Sequence, residues 1–122
     1  MGIVDRVFGW LMVLGSLAHS MGSLQAYGAK PELLLWAESG TLAALLVAAL
    51  NLLRAGRPQD RVLAWVSVAA CAGWLVLVLA FGKLVGNYFD FHVLIFMVIT
   101  LVLLIMSLRT ALGKTQREVY AS

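Results

Sequence analysis

Charge is the first thing this sequence has little of. Only 12% of its 122 residues are charged, and 62% are hydrophobic. A soluble domain carries about twice that share of charge. The nine basic residues form no patch interleaved with aromatics, which excludes nucleic acid as a partner. Cysteine occurs once, at Cys71. A lone thiol closes no intrachain disulfide and makes no CxxC, so paired-cysteine redox chemistry is excluded. Beside Ala69, Ala70, Ala72 and Gly73 it reads as a small packing residue. Proline occurs twice, at Pro31 and Pro58, each between apolar runs. Gly-rich phosphate loops, HExxH, GxSxG and paired-carboxylate motifs are missing. So are sustained heptads, a solenoid period and an internal repeat. No cofactor is identified by any motif.

What the chain does have is long apolar runs. Four segments reach the roughly 20 residues that a bilayer span requires: about 7–27, 33–53, 62–81 and 91–108. The first is too long, and lacks the small-x-small site, for a cleaved leader, so it is expected to remain as a span. Pro31 suits the first helical position of span two, with Glu32 in its first turn. Gly56 reads as a cap after that span. Pro58 and Asp60 open span three, Asp90 is expected to cap the start of span four, and Gly113 follows it. Short connections make consecutive helices antiparallel neighbours. The expected fold is therefore an all-α integral membrane protein. It is one four-transmembrane-helix antiparallel bundle over 1–122, with 109–122 as a short cytoplasmic tail.

Orientation follows from the basic residues. Arg6, Arg54, Arg57, Arg61, Arg109, Lys114 and Arg117 fall on one side, against Lys30 and Lys83 on the other. Both termini are therefore expected in the cytoplasm of a cell whose inner (plasma) membrane holds the protein. Trp10 and Trp65 then lie near the inner interface. Tyr27, Trp36, Tyr88 and Phe89 lie near the outer one. Trp74 falls mid-span, where its indole N–H needs a partner or a lipid-facing position.

Polar residues inside the runs mark where a site would be. GSLAHSMGS, residues 15–23, interrupts span one with glycines, serines and His19. On a helix, His19 shares a face with Gly15, Ser16, Gly22, Ser23 and Ala26. Small residues admit a neighbouring helix closely, and serines can bond across the contact. Gly15 and Gly22 are read as making room for His19, and Ala69 and Gly73 as packing positions in span three. At about 1.5 Å per residue, His19 lies roughly 12 Å below the outer helix end and Glu38 roughly 8 Å deep. A lone ionised carboxylate there is costly, so Glu38 is expected to be protonated or paired. The ionisable groups, His19, Glu38 and His92 with Asp90 nearby, are all expected in the outer half. The inner half is expected to hold no ionisable group, only hydroxyls such as those of Thr100 and Ser107, plus Asn51.

Two readings of the cluster stay open. In one, His19 and Glu38 satisfy each other as a clasp between spans one and two. In the other, His19, Glu38, His92, Asp90, Ser16 and Ser23 line an outward-facing pocket. There His19, Glu38 and His92 are candidate ligands for a transition metal, or relays for a proton. Size and span number are similar to small multidrug transporters and to dimeric fluoride channels. The former place a glutamate in their first span, where this chain has His19, and the Asn- and Gly-rich signature of the latter is missing. Neither family is assigned. Three functions follow: a binding or transport module for a metal ion, a proton or a small polar or amphipathic molecule, a non-catalytic interaction or accessory subunit, or a membrane enzyme on lipid or quinone using His19 and Glu38 as acid and base. The expected partners are the lipid bilayer and a second copy of the chain, and a place in a larger membrane complex is left open. Span four, apolar all round, is expected to face lipid or its symmetric copy.

Overall fold

The computed structural model describes residues 2–86 and 91–113, with the helical backbone alone at Val85 and His92. Four helices make up these residues: α1 (Gly2–Tyr27), α2 (Pro31–Ala55), α3 (Arg61–Val85) and α4 (Phe91–Leu112). All four are long and apolar enough to cross a membrane. Each extends beyond its apolar run at one or both ends. α1 begins at Gly2 and not near Val7, which draws Asp5 into the helix.

The helix ends follow local chemistry. Pro31 opens α2 with its fixed φ and no orphan N–H. Asp60 caps α3, its carboxylate accepting from the Leu63 N–H at 2.9 Å. The two glycine caps differ. Gly86 ends α3 at φ 77°, a left-handed position that suits a residue without Cβ. Gly56 ends α2 at φ −82°, where any residue fits. The cap expected at Asp90 lies outside the described residues.

α1 packs chiefly on α2, and α3 chiefly on α4; α2–α3 and α1–α4 contacts close the ring. Along α1 and α2 the partners run in opposite numerical order. Asp5 meets Arg54, and Ser20 meets Glu38. The turn after α1 and the close of α3 at Gly86 share one end, called here the hairpin end. The other, the terminal end, holds the start of α1, the 56–60 loop and Gly113, whose carbonyl accepts from Arg61.

The interior is smaller and more polar than the exterior. Met12, Ala44, Ala48, Cys71, Val93 and Leu103 are almost fully buried. So are Ser16, Asn51, Arg54, Ser67, Thr100 and Ser107. Large apolar side chains such as Leu14, Met21, Trp36, Val76 and Leu84 stand on the outside. That distribution suits a bundle whose outer solvent is hydrocarbon. α4 departs from the expectation of a peripheral span. It sends Val93, Phe96, Ile99, Thr100, Leu103, Ser107 and Ala111 inward.

Candidate functional site

His19 and Glu38 both lie at the α1–α2 contact, as their depth suggested, but each is hydrogen-bonded to a different residue. His19 Nδ1 is hydrogen-bonded to Thr41 Oγ1 at 2.8 Å. Glu38 Oε2 accepts from the Ser20 hydroxyl at 2.8 Å, and its Oε1 is buried with no partner among the described residues. Two polar pairs therefore tie α1 to α2, and Thr41 and Ser20 join the set that the sequence reading had centred on His19 and Glu38. Ser16 and Ser23 are buried, yet their hydroxyls return to their own helix, donating to the Met12 carbonyl at 2.7 Å and the His19 carbonyl at 2.9 Å. They serve packing by removing their own donors from lipid.

The glycines divide the labour differently from the expectation. A Cβ on Gly15 would stand 3.3 Å from the Phe96 ring, so Gly15 makes room for α4. Gly40 is the glycine beside His19, with Cε1 at 3.9 Å from its notional Cβ. Gly22 meets nothing within 4 Å, because it opens onto a cleft. Gly73 is likewise open, and Ala69 is exposed, so neither packing position is covered by another helix of this chain.

That cleft, of about 710 Å³, lies at the hairpin end between the two helix pairs. His19, Ser23, Tyr27, Trp36, Trp74 and Phe96 give it its character; the rest of its wall is apolar. Trp74 packs edge-on against Phe96, with ring centroids 6.0 Å apart at 78°. Its indole Nε1–H is buried without a partner among the described residues, so the need foreseen for a mid-span indole is unmet within the chain. The wall includes His19 and Ser23 but not Glu38. Asp90 and the His92 side chain lie outside the described residues. Among those residues, no group of three or more His, Cys, Asp or Glu is placed to hold a metal ion.

The terminal end also buries ionisable groups, beyond those at His19 and Glu38. Arg54, read from sequence as a loop charge, is 1% exposed. Its NH1 and NH2 donate to both Asp5 carboxylate oxygens, at 2.7 and 2.5 Å. NH1 also reaches Thr110 Oγ1 at 3.1 Å, and NH2 reaches Asn51 Oδ1 at 3.0 Å. Asn51 continues the network by accepting from Ser107 at 2.9 Å and donating toward Cys71 Sγ at 3.2 Å. Arg54 and Asn51 are three apart on one helix face. That spacing was visible in the sequence; the partner, Asp5, was hidden by starting span one too late.

No protein-family model matches the chain, and no curated protein or solved structure matches it either.

Proposed function

We propose that this chain is a small multi-pass protein of the inner (plasma) membrane whose hairpin-end cleft binds a small amphipathic molecule. The helices form an antiparallel bundle with both termini in the cytoplasm. Counting Arg54 as a buried group rather than a loop charge still leaves six basic residues on the terminal side against two on the other. The cleft then opens in the outer half of the bilayer.

The observation that carries this reading is the cleft itself. Its volume falls in the range of small-molecule sites, and its wall is largely apolar with a few polar groups. His19 and the unfilled Trp74 donor supply the polar side of the match, which favours a ligand with an apolar body and a hydrogen-bonding group. A metal ion alone is the less favoured ligand. It would need His19, Glu38 and His92 together, and Glu38 is turned to Ser20. A second reading rests on the two polar pairs, His19–Thr41 and Ser20–Glu38. As clasps they fit an accessory subunit with no ligand. In either case we propose a homodimer, with exposed small positions such as Ala69 and Gly73 available for close helix approach.

Melting curves on purified protein separate the readings. Decylubiquinone, lauric acid and Zn²⁺ are each added alone to wild type and to Gly22→Leu. The variant grows into open space in the cleft, so its ligand-free melting temperature should match wild type. Binding predicts that an amphiphile stabilises wild type and that Gly22→Leu loses the shift. No shift with any additive defeats the binding reading and leaves the clasp. Native mass spectrometry in mild detergents checks the dimer.

A further inference from the structure

A second cleft, of about 680 Å³, lies at the terminal end, opposite the first. Its polar wall is Asp5, Arg54, Gln59, Arg109 and Thr110; its apolar wall is formed mainly by α4. Arg54 is the unusual member. Its side chain is fully buried, and its four terminal N–H groups are taken by Asp5, Asn51 and Thr110. Its Nε–H has no partner among the described residues. A buried donor left unfilled on a guanidinium costs more than one on a neutral group. The Asp5–Arg54 pair is neutral as a unit, so the charge at the cleft is set by Arg109, which is exposed in the last turn of α4.

The surroundings extend that charge. Arg6, Arg57 and Arg61 stand at the same end, where the described acids are Asp5 and Asp60. Asp5 is held by Arg54, and Asp60 accepts from the Leu63 N–H in the first turn of α3. Among the described residues at this end, arginines outnumber acids. One turn deeper on α4 than Arg109, Ile105 is exposed, so the cleft opens toward hydrocarbon as well as toward the basic rim.

We propose that this cleft holds one anionic phospholipid of the adjacent leaflet. Its phosphate sits at Arg109 and the Nε–H edge of Arg54, and an acyl chain lies along Ile105, Met106 and Leu108. Guanidinium groups favour phosphate oxygens, and basic pockets at helix ends select anionic headgroups by charge. The apolar wall selects a lipid over a free anion. The site is independent of the hairpin-end cleft.

The test uses the full chain, purified and delipidated in a mild non-ionic detergent. Phosphatidylglycerol, phosphatidylcholine and inorganic phosphate are added separately, and melting is followed. Phosphatidylglycerol at saturation should raise Tm by about 5 °C or more, and the other two should leave it unchanged. Arg109→Glu, an exposed position where charge reversal at the helix end lowers lipid-free melting only slightly, should lose the phosphatidylglycerol shift measured against its own lipid-free value. Gly22→Leu should keep the shift, since it alters only the opposite cleft. Equal stabilisation by phosphatidylcholine, or a full shift in Arg109→Glu, overturns the proposal. A shift from inorganic phosphate as large as that from phosphatidylglycerol overturns the lipid assignment. Arg54→Gln risks misfolding, so the conclusion rests on Arg109.

Discussion

Removing Asp5 leaves the Arg54 guanidinium buried with two terminal N–H groups unfilled. Breaking one side of a buried pair costs about 3–5 kcal/mol, whereas replacing both members with apolar residues is often close to neutral. Asp5→Ala should therefore lower stability by about that amount, and Arg54→Leu should do so less, because Asp5 retains 11% side-chain exposure and can turn to water. The double variant should cost less than the two singles together. Chemical denaturation of the four proteins checks this, and strict additivity would show that the pair is not coupled. The same pair shows what a sequence can and cannot disclose about polar residues in lipid. That His19 faces protein was legible, since its helix face carries glycines and serines. Its partner was not: depth alone put Glu38 beside it, but Thr41, three residues on, meets the imidazole instead. A rotation of one helix by part of a turn decides between them, and no spacing rule encodes that angle.

Gly9 and Gly22 belong to the same helix and answer to different neighbours. A Cβ on Gly9 would lie 2.6 Å from Leu52 Cδ2 and 2.9 Å from Cγ, so α2 occupies that space. On Gly22 it would meet nothing within 4 Å. Gly9→Ala should destabilise by about 1–3 kcal/mol through overpacking, offset in part by the better helix propensity of alanine, about 1 kcal/mol. Gly22→Ala receives the propensity term alone and should be neutral or stabilising. Melting both variants against wild type checks the contrast, and a destabilised Gly22→Ala would place another chain or helix on that face. The existence of all four helices was readable from run length and punctuation. Their faces were readable only where polarity varied. In α4, apolar on every side, period carries no signal except at Thr100 and Ser107. These two hydroxyls, seven residues apart, fall on the buried stripe with Val93, Phe96 and Leu103. Giving them weight would have turned α4 inward at the outset.

The bundle as a whole hides polar groups and displays apolar ones, so its stability and its orientation are both properties of the membrane it enters. Arg54 shows that basic residues do not all count alike for orientation: one that is buried and paired reports packing, and those in loops report the side that stays behind. The loops still divide clearly, with Arg57 in the 56–60 connection and Lys83 in the last turn of α3 at the opposite end. Cys71 makes the division measurable. It is the chain's one cysteine and is fully buried, so it should stay silent toward polar thiol reagents in the folded protein. Single cysteines can then be placed in the otherwise unaltered chain. Lys83→Cys should react with a membrane-impermeant maleimide in intact cells. Arg57→Cys should react only after the membrane is permeabilised. The reverse pattern would invert the bundle, put the amphiphile cleft on the cytoplasmic side, and move the basic cleft away from the leaflet where anionic lipid is concentrated. Labelling of both positions in intact cells would mean that copies insert both ways, and the excess of loop arginines at the terminal end would then not be enough to set one orientation.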